Sequence, residues 1–170
     1  MAKKDLILIG MPGCGKSVIG KRLSYGLRMG FVDIDSAIEY YAGSSIPEIF
    51  EKQGEEEFRK IETEVFKKTV GIGRIIATGG GIVKKAENKA IAKGGTVIFI
   101  DRPLENIMGD VRTSTRPLLA KGKDRLIELY NERYELYKEW ADIRVINDGS
   151  VNDITDRIIK EVENYENNGD

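Results

Sequence analysis

The chain has 170 residues, 41% of them hydrophobic, enough for one ordinary globular domain with a substantial core. Lys plus Arg number 27 against 28 Asp plus Glu, a net charge of −1 that gives no reason to expect nucleic acid as a partner. A single cysteine, Cys14, excludes an internal disulfide, and the lack of histidine excludes His-based acid–base chemistry and His metal ligation. The first strand starts almost at once and no apolar run is long enough to span a bilayer, so a cytoplasmic protein away from membranes is expected.

Leu6 to Ile9 is a short continuous apolar run, as in a strand buried on both faces. Gly10-Met-Pro-Gly-Cys-Gly15-Lys16-Ser17 follows and fits G-x-x-x-x-G-K-S, the phosphate-binding P-loop. Ile19, Leu23 and Leu27 then recur at steps of four, the spacing of a helix. Backbone N–H groups of such a turn form a nest for phosphate oxygens, and the helix's positive end adds to it. Gly13, Cys14, Gly15, Lys16, Ser17 and Val18 are therefore the expected nucleotide contacts. Lys16 would reach the β- and γ-phosphates, and the Ser17 hydroxyl would bind Mg²⁺. ATP is expected here, and alkylation of Cys14 should block it.

Apolar runs alternate with helical patterns along the rest of the chain, the signature of an α/β fold with a parallel sheet. Strands are predicted at 5–9, 31–33, 74–77, 96–100 and 143–146. Helices are predicted at 16–28, 36–42, 46–53, 55–69, 84–92, 103–111, 123–141 and 151–165, before a polar, fraying tail. No linker or second-domain boundary is visible, so residues 1–170 are expected to form a single domain.

Phe31-Val-Asp33-Ile-Asp35 reads as the end of the second strand, with two acids at i and i+2 pointing to one side. Ligands of open α/β sheets lie beyond the carboxyl ends of strands, where these acids and the P-loop would meet. Asp33 is then a candidate for Mg²⁺ and Asp35 for a second substrate; alternatively Asp35 or Ser36 caps the next helix. Ser36-Ala-Ile-Glu39 fits a capping box, so Ser36 is expected to cap and leave Asp35 to chemistry. Ser45-Ile-Pro-Glu48 is a second such box.

On the helix 55–69, Phe58, Ile61, Val65 and Phe66 share one face, yet Glu62 falls inside that arc and Arg59 at its border. A buried charge needs a partner, so the two read either as a paired site group or as a structural ion pair. Thr78 precedes Gly79-Gly80-Gly81, either a tight turn or backbone laid bare for a ligand. Val97 to Asp101 has the hydrophobic-run-plus-Asp pattern of a Walker B, which makes Asp101 a second candidate for the metal.

Between Asp110 and Lys123 the periodicity lapses in a cationic, Pro117-broken stretch containing Arg112 and Arg116. A solvated loop is the plain reading. A kinase, however, needs a lid that excludes water and places an arginine on the moving phosphoryl group. Arg116, fixed by Pro117, is favoured over Arg112. In the helix 123–141, Leu126, Tyr130, Tyr134, Tyr137 and Trp140 share a side, and Arg133 falls in its middle. It either snorkels outward or captures an anion such as a carboxylate.

These features together resemble shikimate kinases, over nearly the whole chain. They are Gly10–Ser17, Asp33-Ile-Asp35, Ile49-Phe50 with Gly54-Glu-Glu-Glu-Phe58-Arg59 and Glu62, Gly79–Gly81, Arg116-Pro-Leu-Leu119, and Arg133 with Tyr134 and Tyr137. The resemblance implies a nucleoside-monophosphate-kinase-like α/β/α fold with a five-stranded parallel sheet of order 2-3-1-4-5. It implies Mg²⁺-assisted transfer of the ATP γ-phosphoryl group to the 3-hydroxyl of shikimate. It further implies that Asp35, Arg59, Gly80 and Arg133 hold shikimate, with Gly79 and Gly81 beside Gly80, in an acceptor segment of about 33–62. Asp33 would assist the metal, and Arg116 would belong to a lid at 110–123. The catalytic set is then Lys16, Asp35 and Arg116, in a protein expected to be a monomer. The family often carries an arginine at the position of Gly109; Arg112 is the substitute here. Rival expectations are another small-molecule kinase acting on gluconate, a nucleotide or dephospho-coenzyme A, and a nucleotide switch. The chain lacks the Asn-Lys-x-Asp signature of a guanine-binding switch.

Overall fold

The computed structural model describes residues 3–110 and 122–169. Its strands are β1 (Leu6–Ile9), β2 (Gly30–Asp33), β3 (Arg74–Ala77), β4 (Thr96–Asp101) and β5 (Ile143–Ile146). The α-helices are α1 (Lys16–Leu27), α2 (Ile34–Ala42), α3 (Ile46–Thr69), α4 (Ala86–Ala92), α5 (Leu104–Asp110), α6 (Gly122–Trp140) and α7 (Val151–Asn168). A 3₁₀ turn, Ile82–Lys84, precedes α4. All four strand pairings are parallel, in the order β2-β3-β1-β4-β5, as the resemblance implies.

Burial follows position in the sheet. All four residues of β1, flanked by β3 and β4, are buried, which is why that run is apolar without alternation. β5 is an edge and alternates: Ile143 and Val145 are buried while Arg144 and Ile146 face solvent. Helices on both faces close the core, α1 against α7 among them. The sheet reverses its order at β1, so loops after β1, β3 and β4 open into one crevice.

Two expectations about element ends are corrected. Asp35 is not on the second strand but in the first turn of α2, which starts at Ile34, and Ser36 lies inside the helix. The cap is Asp33: its Oδ1 accepts from the N–H groups of Asp35 (3.0 Å) and Ser36 (3.3 Å). The tail does not fray at Glu166, since α7 runs to Asn168; an exposed polar turn extends a helix at little cost. The break between 46–53 and 55–69 survives as one non-helical residue, Gly54, with φ 82°. The second capping box forms as expected, with Ser45 Oγ accepting from Glu48 N–H and Glu48 Oε2 from Ser45 N–H.

Candidate active site

One cavity of about 810 Å³ lies beyond the carboxyl ends of the strands. The P-loop forms one wall through Pro12, Gly13, Gly15, Lys16 and Ser17. The other wall carries Asp35 from α2 and Phe50, Phe58, Arg59 and Glu62 from α3, with Thr78 to Gly81 between the two.

The P-loop is held tightly. Gly10 sits at φ 148°, and a Cβ there would stand 2.6 Å from the Ile100 carbonyl oxygen, so the loop leaves β1 only with glycine. Cys14 N–H donates to Met11 O at 3.1 Å. Lys16 Nζ donates to the carbonyls of Gly10 (2.8 Å) and Met11 (3.0 Å). The Cys14 side chain is buried beneath the loop, so it offers the ligand only backbone and is poorly placed for the alkylation that its sequence position suggested. Val18, by contrast, is exposed. Ser17 Oγ donates to Asp33 Oδ2, and the Asp33 carboxylate therefore joins the P-loop to the start of α2.

The acceptor side is more deeply buried. Arg59 is 5% exposed and Glu62 1%, and they pair at 2.8 Å. Arg59 also meets Glu55 at 3.4 Å, and Lys84 ties Glu55 (2.9 Å) to Glu132 of α6 (3.2 Å). The Arg59 guanidinium lies 5.0 Å from the ring centre of Phe58, which packs on Phe50. Burial pushes the Glu62 carboxyl above the ordinary carboxylate range; Arg59 opposes the shift and the nearby Asp35 adds to it. Glu55 is lowered, chiefly by its bond to Lys84.

The three glycines take their identity from close packing. A Cβ on Gly79 would stand 2.9 Å from Glu62 Oε2 and 3.0 Å from Asp35 Oδ1. On Gly81 it would come within 2.3–2.5 Å of the Arg59 guanidinium, and on Gly80 within 2.7 Å of Pro12. The run is thus both a turn and the surface on which the Asp35–Glu62–Arg59 group rests.

Arg133 is fully buried, and among the described residues none of its guanidinium nitrogens has a hydrogen-bond partner of ordinary geometry. It does not snorkel. It acts electrostatically on Glu62 and on the buried Tyr137 hydroxyl, which donates to the Gly80 carbonyl. Arg59 and Asp35 thus line the cavity directly, while Arg133 lies enclosed near Glu62 and Tyr137.

Asp101 is engaged elsewhere. Its Oδ2 accepts from Tyr134 Oη (2.9 Å) and from Arg144 Nε (2.9 Å) and Nη2 (2.6 Å). Burial, then the Asp101 bond, pushes Tyr134 up to about 12. The Walker-B-like pattern therefore marks an ion pair with the edge strand. Arg112, Arg116 and most of the expected lid lie outside the described residues.

Two neighbours, Arg125 and Arg102, were not singled out as site residues in the sequence. Arg125 lines the cavity, Arg102 donates to Gly13 O at 2.9 Å, and Asn147 Nδ2 donates to Cys14 O at 2.8 Å. Arg125 stands in the first turn of α6, where the helix dipole disfavours a cation; that misfit was its one sequence signal. Among the described residues no helix is long and apolar enough to cross a membrane.

Comparison with known proteins finds relatives over nearly the whole chain. The family model described as shikimate kinase matches residues 12–163. A shikimate kinase of Clostridium botulinum is 47% identical over 160 residues, covering 93% of this chain and 96% of that one. A shikimate kinase of Acinetobacter baumannii, solved in complex with shikimate, superposes with a TM-score of 0.89 at 33% identity, covering 95% of this chain and 94% of that one. The Aquifex aeolicus enzyme gives a TM-score of 0.81 at 36% identity, covering 94% and 96%. The chain belongs to the shikimate kinase family.

Proposed function

We propose that this chain transfers the γ-phosphoryl group of ATP to the 3-hydroxyl of shikimate, as a monomeric cytoplasmic enzyme working through one domain. The observation that carries the proposal is the single cavity with a P-loop on one wall and Asp35 and Arg59 on the other. An anionic polyol needs cations for its carboxylate and an acid for its hydroxyls, and a kinase needs both substrates in one enclosure.

The P-loop N–H groups and Lys16 hold the phosphates, with Lys16 leaving its carbonyl partners for the β- and γ-oxygens. Asp35, in the first turn of α2, orients the acceptor hydroxyl for in-line attack and takes its proton. Arg59 binds the carboxylate, and the buried guanidinium of Arg133, which interacts with Glu62 only at a distance, gains a hydrogen-bonded anion. Gly79, Gly80 and Gly81 present backbone to the ring. Arg116 is assigned the role of offsetting charge on the transferring group, and Arg112 that of the arginine the family often carries at the position of Gly109; both lie outside the described residues. Ser17 and Asp33 present two hard oxygen donors at the P-loop mouth, which would hold Mg²⁺. The ion would there supply neutralisation of the phosphate charge.

The test is Asp35→Asn. Turnover should fall by at least about 10²-fold, the lower range for a general base, while ADP affinity stays within a few-fold. A near-normal rate would remove Asp35 from the mechanism.

A further inference from the structure

We infer that Arg102 is a positioning residue for the nucleotide: from the carboxyl end of β4 its guanidinium fixes the Gly13 peptide of the P-loop in its phosphate-binding orientation. The inference rests on the kinase reading of the site and adds to it a residue that touches the loop from outside the cavity. Arg102 Nη1 donates to the Gly13 carbonyl at 2.9 Å and to Asp110 Oδ2 at 2.7 Å. Asn147, just after β5, donates to the next carbonyl, Cys14, at 2.8 Å.

A loop that cradles phosphate must keep its carbonyls turned away from the ligand. Two successive carbonyls of this loop each receive a side-chain donor from the neighbouring strand ends. The Gly13–Cys14 peptide is held at both ends, since Cys14 N–H donates to Met11 O at 3.1 Å. Rotating that peptide plane would break one charge-assisted bond and one backbone bond together. The flanking residue Asp101 is occupied by Arg144 and Tyr134, and Asp110 holds Arg102 instead. The arginine fork matters as well as the charge. A planar guanidinium serves a carbonyl and a carboxylate in fixed directions, whereas a lysine ammonium is a point charge without that fixed geometry.

The experiment measures ADP binding by calorimetry, together with KM for ATP and for shikimate, in the wild type, Arg102→Ala, Arg102→Lys and Asn147→Ala. Arg102→Ala is expected to weaken ADP binding by about tenfold, the equivalent of one lost charge-assisted hydrogen bond. KM for ATP should rise in step, KM for shikimate should stay within about twofold and thermal stability should be nearly unchanged, since the variant leaves the acceptor wall and core intact. Arg102→Lys should recover less than half of the loss, and Asn147→Ala should weaken ADP in the same direction. Unchanged ADP binding in Arg102→Ala would overturn the inference, as would full rescue by lysine or equal losses for both substrates. Should Arg102→Ala fail to fold, the loss of ADP affinity in Arg102→Lys relative to the wild type decides alone, and wild-type affinity there overturns the inference. A wild type that binds no ADP would overturn the kinase reading as well, which separates the two failures.

Discussion

Ser17 and Asp33 are joined hydroxyl to carboxylate across the gap between the P-loop and α2. The same carboxylate caps α2 through its other oxygen, so one side chain sets the distance between the phosphate cradle and Asp35 two residues on. The first prediction follows from this double use. Asp33→Ala should lose about 0.5–2 kcal/mol of stability as a lost cap, and should also weaken Mg²⁺ dependence of activity. Asp101→Ala should leave the Mg²⁺ dependence alone, because its carboxylate is spent on Tyr134 and Arg144. Titrating Mg²⁺ in both variants checks the ranking, and a larger effect at Asp101 would reverse it.

Arg133 should show a trade between stability and function. A buried cation whose nitrogens make no hydrogen bond of ordinary geometry among the described residues is costly, its interactions with Tyr137 and Glu62 offset that cost only in part, and an apolar side chain of similar length removes it. Arg133→Met is expected to raise Tm by about 2–4 °C, the shift that roughly 1 kcal/mol gives in a chain of this size. The same variant should raise KM for shikimate at least about tenfold, the value of a lost charge-assisted bond. Thermal melts and acceptor kinetics on one preparation read both effects.

Gly81→Ala tests the packing of Arg59 on the glycine run. The added Cβ meets the buried Arg59 guanidinium at 2.3–2.5 Å, so Arg59 is displaced from Glu62 and Tm should fall with the loosened pair. KM for shikimate should rise with ADP affinity intact. An unchanged KM would mean that Arg59 tolerates displacement.

Glu62 supplies a pH dependence. Its folded-state pKa lies above the ordinary 4.5, so the native state binds the proton more tightly than the unfolded chain does. The charged form therefore costs stability, a cost absent below 4.5 that develops as pH rises through the raised native value. Glu62→Gln has no such charge, so its stability relative to wild type should improve with pH above 4.5 and then level off. Denaturant unfolding at several pH values would show it, and a constant difference would contradict it.

The strands were legible as short, largely apolar runs ended by glycine or polar residues, and all five fall within one residue of their predicted limits. The order of those strands came from the family likeness, since pairing depends on contacts that no local pattern encodes. Arg59, Glu62 and Arg133 stood out as charges on apolar helical faces, and all three are buried. The error at Asp35 had a local cause. Ser36-Ala-Ile-Glu39 imitates a capping box, yet the bond from Ser17 brings Asp33 to the helix start, and a long-range contact displaced the local signal. Glu39 is used elsewhere, accepting from Ile46 N–H. Arg102 and Asn147 were invisible as loop clamps because their partners are backbone carbonyls 89 and 133 residues away.

The central claim is that the P-loop and the Arg59–Asp35 wall serve one transfer reaction to shikimate. Purified enzyme with Mg²⁺ and ATP should be offered shikimate, gluconate, nucleoside monophosphates and dephospho-coenzyme A in parallel, with ADP release and phosphorus NMR of the product as readouts. Shikimate alone should accelerate ADP release and yield a phosphate ester at its 3-hydroxyl. ADP release indifferent to shikimate, or faster with another acceptor, would contradict it.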